Sequence, residues 1–153
     1  ETEAAERYTE LAGLMAEHNN LEVSELFQKL GRIEQIHADD IRKMSEGRVL
    51  PKISPWEYRW SGPERPEALD SSELHYLITP HQAVKLALRG EQRAADFYGA
   101  VVHTAESKDV QDLAREYEKD EQEHVRLLNG WLERYPEPAP DWDEDPDSPV
   151  EQE

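Results

Sequence analysis

Two stretches of the chain repeat each other. Glu1-Thr-Glu-Ala-Ala-Glu-Arg-Tyr8 lines up with Glu91-Gln-Arg-Ala-Ala-Asp-Phe-Tyr98, and Glu34-Gln-Ile-His37 lines up with Glu121-Gln-Glu-His124. The first offset is 90 and the second 87, a difference that a shorter turn in the second copy accounts for. The chain therefore reads as two like halves.

Around these motifs apolar residues recur at helical spacing. Residues 3–18 carry Ala4, Ala5, Tyr8, Leu11, Ala12 and Met15, and Asn19-Asn20 ends the stripe. A second stripe carries Leu26, Phe27, Leu30, Ile33, Ile41 and Met44 and closes near Gly47. A third opens at Thr79-Pro80, an N-cap residue followed by proline at the first helical position. It continues through Val84, Ala87, Leu88, Ala94, Ala95, Tyr98, Val101 and Val102. Ser107-Lys108 makes the next turn, and a fourth stripe carries Val110, Leu113, Tyr117, Leu127, Leu128 and Trp131 and stops at Pro136. The short turns predict two antiparallel hairpins.

The connection between helices two and three, about residues 47–79, is long and holds Pro51, Pro55, Pro63 and Pro66 with Trp56, Tyr58 and Trp60. Such a segment can cross the bundle end to end and lay its aromatics on the outside of the helices or into a dimer surface. A short helix near Ser71–Leu77 fits within it. The predicted fold class is all-α, a ferritin-like four-helix bundle of two antiparallel hairpins joined by a long crossover. The bundle takes residues 1–135. Residues 136–153 hold five prolines, eight acids and no base, and predict a disordered acidic tail.

Charge and composition narrow the function. The net charge of −18 disfavours nucleic acid and anionic membranes as partners. The absence of cysteine excludes disulfides, thiol catalysis, zinc ribbons and cysteine-ligated iron–sulfur sites. No apolar run reaches the roughly 18 residues of a membrane span. We expect a cytoplasmic setting, although lack of cysteine suits any redox compartment.

What these helices place inward is unusual. Glu1 shares a face with Ala4, Ala5, Tyr8 and Met15, and Glu91 shares one with Val84, Ala87, Leu88 and Tyr98. Glu34 and His37 fall between Leu30, Ile33, Ile41 and Met44, and Glu121 and His124 between Tyr117, Leu128 and Trp131. Glu-x-x-His alone is a weak signal; its phase against the apolar stripes gives it weight. Four core-facing carboxylates repel one another unless protonated or neutralised. Counted from the turns, all four sit within about one helical turn of the same level, at about 1.5 Å per residue. Two divalent cations would balance them, with the histidines adding nitrogen ligands. Oxygen and nitrogen donors without sulfur suit iron or manganese. A Glu from each of two helices and Glu-x-x-His from each of the other two is the dinuclear carboxylate layout of such bundles.

With Glu1 and Tyr8, Glu34 and His37, Glu91 and Tyr98, and Glu121 and His124 in these positions, residues 1–135 resemble the rubrerythrin-like branch of the ferritin-like superfamily. The resemblance implies two iron ions, with manganese as the alternative. Glu34 and Glu121 would bridge them, Glu1 and Glu91 would be terminal ligands, and His37 and His124 would bind one ion each. Tyr8 and Tyr98 match tyrosines that stand beside the cluster and assist catalysis. The implied activity is reduction of peroxide or dioxygen, and we expect a homodimer. Two departures stand out. Rubrerythrins carry a further Glu one turn after the third-helix ligand, used in their peroxidase cycle, where this chain has Ala94-Ala95. They also carry a four-cysteine rubredoxin domain, so here electrons must come from a separate donor protein. Helix three has about ten residues before Glu91 and helix one none before Glu1, which leads us to expect further helix upstream.

Two other readings stay open. One is a ferroxidase for iron storage or detoxification, and the other a metal-free helical interaction module. His18, His75, His81 and His103 lack an in-phase carboxylate partner and are expected at the surface or in turns. Glu116, Glu118 and Glu123 are expected on a solvated helix face.

Overall fold

A computed structural model describes residues 1–47 and 78–139. Within them the chain forms α1 (Thr2–Glu17), α2 (Leu21–Met44), α3 (Pro80–Thr104) and α4 (Lys108–Leu132), with no strand among the described residues. The all-α class and the four helices agree with the sequence pattern. The crossover aromatics Trp56, Tyr58 and Trp60, the helix expected near Ser71–Leu77, His75, and all but residues 136–139 of the tail lie outside the described residues.

The helix ends follow local chemistry. Asn19 adopts φ 59°, a left-handed conformation that asparagine tolerates better than most residues, and it turns the chain from α1 into α2. Gly47 takes φ 82° just beyond α2. Thr79 caps α3, its hydroxyl oxygen accepting from the Gln82 backbone N–H at 3.2 Å, and Pro80 occupies the first turn. The fourth helix ends at Leu132, short of the expected stop at Pro136. Arg134 N–H donates to Trp131 O at 3.0 Å and Tyr135 N–H to Leu132 O at 3.3 Å, so the last turn tightens to i→i+3 bonds. Pro136 then disfavours helical geometry in the residue before it.

α1 packs on α2 and α3 on α4, as two hairpins. Gly31 lets the first pair close: a Cβ there would stand 3.1 Å from Tyr8 Cβ. A mid-helix glycine costs about 1 kcal/mol relative to alanine, and here the close approach of α1 offsets it. Ser24 Oγ donates to Ala12 O at 2.8 Å within the same interface. The main core gathers Leu11, Met15, Phe27, Leu30, Ile78, Val84 and Leu128, each at most 1% exposed. Burial of each such side chain contributes roughly 1.5–3 kcal/mol. A smaller cluster of Tyr98, Ala114 and Tyr117 is partly covered by Ile41 and Val101. The stripes are narrower than the pattern suggested. Met44 and Val110, in terminal turns, and Leu127, one position off the buried Leu128, are exposed.

His81 is a correction. Expected at the surface or in a turn, it is buried in the first turn of α3, its Nδ1 3.2 Å from the Tyr135 carbonyl beyond α4. The antiparallel α3–α4 hairpin brings those two ends together. His18 and His103 are exposed, as are Glu116 and Glu123, whereas Glu118 is half-buried against Gly99 of α3.

Candidate metal centre

Each hairpin supplies one half of a polar cluster enclosed by the apolar packing. Glu34 and Glu121 are 1% exposed, and Glu91, His37 and His124 are also buried. Carboxylates and imidazoles are normally kept out of such places unless something balances them. Both imidazoles turn Nδ1 inward. His37 Nδ1 lies 3.5 Å from Glu1 Oε2, 3.5 Å from Glu34 Oε2 and 3.9 Å from Glu121 Oε1. His124 Nδ1 lies 3.2 Å from Glu34 Oε1, 3.4 Å from Glu91 Oε2 and 3.3 Å from Glu121 Oε2.

These residues fall into two overlapping groups. Glu1, Glu34, His37 and Glu121 bring their donor atoms within 4.8 Å of one another, and so do Glu34, Glu91, Glu121 and His124. Glu34 and Glu121 belong to both groups, so each has one oxygen available for either side. All six residues singled out from the sequence are thus brought together. Glu1 Oε2, Glu34 Oε1, His37 Nδ1 and Glu121 Oε1 are buried and make no hydrogen bond of acceptable geometry. Buried donors and acceptors without partners are costly. A cation held by oxygen and nitrogen in each group removes that cost, so the residues present fit a pair of metal ions.

The tyrosines do something the sequence did not reveal. Tyr8 on α1 donates its hydroxyl to Glu91 Oε1 on α3, and Tyr98 on α3 donates to Glu1 Oε1 on α1. A tyrosine seven residues after its own Glu stands about 10.5 Å further along the same helix. Each therefore serves the carboxylate of the other hairpin. The reciprocal pairs 1–98 and 8–91 make α1 and α3 antiparallel, and His37–Glu121 with Glu34–His124 does the same for α2 and α4. α2 and α3 then run parallel, and the end of one and the start of the other lie at opposite ends of the bundle. That is the ferritin-like connectivity.

Protons take the place of cations when metal is absent. For Glu1, burial acts to raise the carboxyl, but His37, the amino group of Glu1 itself, Glu34 and Tyr98 outweigh that and hold it down to about 2. Glu91 is also lowered, burial being overcome by His124, Glu121 and Tyr8. Glu121 is raised to about 9, chiefly by burial and by the carboxylates of Glu91 and Glu34. Contact with Glu1 and Glu34 lifts His37 to about 10. Burial opposes the same rise at His124, but Glu121, Glu34 and Glu91 carry it to about 12. Burial and the adjacent carboxylates push both Tyr8 and Tyr98 up, so each hydroxyl stays a donor.

Sequence reading missed Asp120. Its Oδ2 lies 3.7 Å from His37 Nε2, the ring nitrogen turned away from the cluster. At that distance the carboxylate makes no direct hydrogen bond, but its charge favours a proton on Nε2, which leaves Nδ1 free to act as a ligand once that nitrogen is deprotonated. At the repeat offset of 87 the counterpart of Asp120 is Ile33, so the α4 histidine has no equivalent carboxylate from that position. Placing Asp120 beside His37 needed the α2–α4 register, which one helix pattern does not contain. Tyr117, read only as apolar, also packs its ring against His37, with centroids 4.8 Å apart. We expect Asp120→Ala to weaken binding at the His37 position roughly 10–100-fold and to spare the His124 position. Anaerobic Mn²⁺ titration followed by electron paramagnetic resonance checks this; unchanged affinity for both ions would contradict it.

A family model described as Rubrerythrin matches residues 1–132. The crystal structure of an uncharacterized conserved protein from Magnetospirillum magnetotacticum MS-1 is similar to this chain, with a TM-score of 0.76 and 37% sequence identity, covering 90% of this chain and 89% of that one. No curated protein matches. Among the described residues no helix is long and apolar enough to cross a membrane.

Proposed function

Since the chain belongs to the rubrerythrin family, we propose that it is a dinuclear iron carboxylate oxidoreductase that reduces peroxide or dioxygen with electrons from a separate donor protein. The observation that carries this reading is the pair of overlapping donor groups sharing Glu34 and Glu121, with buried atoms left unpartnered between them. Bound there, two ferrous ions supply a pair of electrons and Lewis acidity.

The chain's own residues do the rest. Glu34 and Glu121 would hold both ions, and Glu1 with His37 and Glu91 with His124 would complete the two halves. Tyr8 and Tyr98 fix the terminal carboxylates by hydrogen bonds from the opposite hairpin. Packing around Phe27, Leu30 and Leu128 excludes water on one side of the cluster. Tyr8 leans on Phe27 at 5.8 Å between ring centroids, which limits the motion of the hydroxyl that holds Glu91. Residues 1–153 hold no cysteine, which supports a reductant outside this bundle.

Anaerobic loading with Fe²⁺ followed by stopped-flow mixing with hydrogen peroxide tests the proposal. About two ferrous ions should be oxidised per peroxide, since a peroxide takes two electrons. Tyr8→Phe and Tyr98→Phe should keep the iron and slow the oxidation. Iron that binds yet stays ferrous toward both peroxide and dioxygen would sink the oxidoreductase reading.

A further inference from the structure

The four carboxylates do not fill the space between α1 and α3. A cavity of about 180 Å³ lies there, with Glu1, Glu34, Glu91 and Glu121 at its inner end. Most of its wall is carbon, from Leu11, Leu86, Ala87, Ala94 and Phe97; Glu3, Arg7 and Arg93 also line it, and Arg7 is taken up by Glu3 at 2.9 Å. Phe97 is half exposed and stands at the mouth. Neither His37 nor His124 lines the cavity, so it meets the cluster on the face turned away from the imidazoles. The repeat makes this space. Ala4 and Ala94 each follow a terminal Glu by one helical turn and line it from α1 and α3.

Dioxygen or hydrogen peroxide alone would leave most of this volume to water set against a mainly apolar wall. An apolar cavity of about 150 Å³ accepts a benzene molecule, so this one holds a ring or branched alkyl group with a short polar arm. Two divalent cations would neutralise the four carboxylates, Arg7 and Glu3 offset each other, Arg93 is already engaged, and the mainly apolar wall disfavours burying a further charge. The occupant is therefore neutral and compact, with one oxygen-bearing end toward the carboxylates.

We propose that this cavity binds the organic part of a compact neutral hydroperoxide, ROOH, with R about the size of a phenyl or tert-butyl group. The proposal rests on the oxidoreductase reading above and names the substrate class of that site. The O–O bond breaks, two ferrous ions would each give one electron and become ferric, and two protons are taken up from the buffered solution. The products are the alcohol ROH and water.

Two probes test it on the iron-loaded protein. Calorimetry and crystallography follow binding of 2-phenyl-2-propanol, the alcohol left when cumene hydroperoxide is reduced. Anaerobic single turnover then compares cumene hydroperoxide with hydrogen peroxide. Ala94→Leu fills the cavity from α3, and Ala4→Leu fills it from α1 should the first variant lose its iron. We expect the alcohol to bind in the cavity of the unmodified protein. In the variant, alcohol affinity and the rate with cumene hydroperoxide should fall about ten-fold or more, while iron content and the rate with hydrogen peroxide hold. Failure of the alcohol to bind, or an equal fall for both peroxides at full iron content, overturns the subsite. Iron inert to every peroxide while the alcohol still binds overturns the oxidoreductase reading, and the hydroperoxide assignment with it.

Discussion

Replacing Glu34 or Glu121 with alanine is expected to empty both metal positions together. Each residue belongs to both donor groups, whereas Glu1 and Glu91 belong to one each. Metal content measured by plasma mass spectrometry should fall from about two ions per chain to nearly none in Glu34→Ala or Glu121→Ala. Glu1→Ala and Glu91→Ala should retain about one. The metal-free fold should not suffer in proportion. Without metal Glu121 is protonated at neutral pH, so its replacement by leucine removes no charge and takes away a buried oxygen that has no partner. Thermal unfolding in chelator should therefore show Glu121→Leu at least as stable as the unmodified chain. Two ions retained in either shared-ligand variant would overturn the assignment of bridging roles.

A second large effect concerns pH. His37, His124 and Glu121 have pKa values raised to about 10, about 12 and about 9, so at neutral pH each carries a proton in the metal-free protein. A ligand must lose its proton to bind a cation, so metal and protons compete for the same atoms. The sign follows: the raised values weaken binding as pH falls. Filling both positions should release about three protons, and the overall constant for the pair should drop by about a thousand-fold per pH unit near neutrality. Calorimetric titration in buffers of different ionisation enthalpy counts the protons directly. A release near zero at pH 7 would mean that neither imidazole nor Glu121 carries the proton assigned to it before metal arrives.

Most of the fold was legible because helical phase is local. The stripe of Leu26, Phe27 and Leu30 fixes which side of α2 faces inward, and Glu34 and His37 follow by counting residues. Asn19, Gly47, Thr79 and Pro80 each carry their end-of-helix preference in their own chemistry. What stayed hidden depends on how one helix is set against another. The exchange of Tyr8 and Tyr98 between hairpins, the Asp120 carboxylate behind His37, and the His81 contact with Tyr135 each join residues on different elements. The cavity was hidden for a related reason. Ala4 and Ala94 read as ordinary members of an apolar stripe, and only the α1–α3 spacing turns two small residues into an opening.

The reciprocal bonds between α1 and α3 bear on how such a protein could arise. A hairpin like α1–α2, facing a second copy of itself, would bring together four carboxylates, two imidazoles and two tyrosines in the same arrangement. Joining the copies in one polypeptide raises their effective concentration and adds no new ligand. What a single gene for a self-pairing hairpin could not encode is a difference between the halves. Asp120 opposite Ile33 is such a difference: a substitution that duplication makes available, giving one metal position a character its twin lacks.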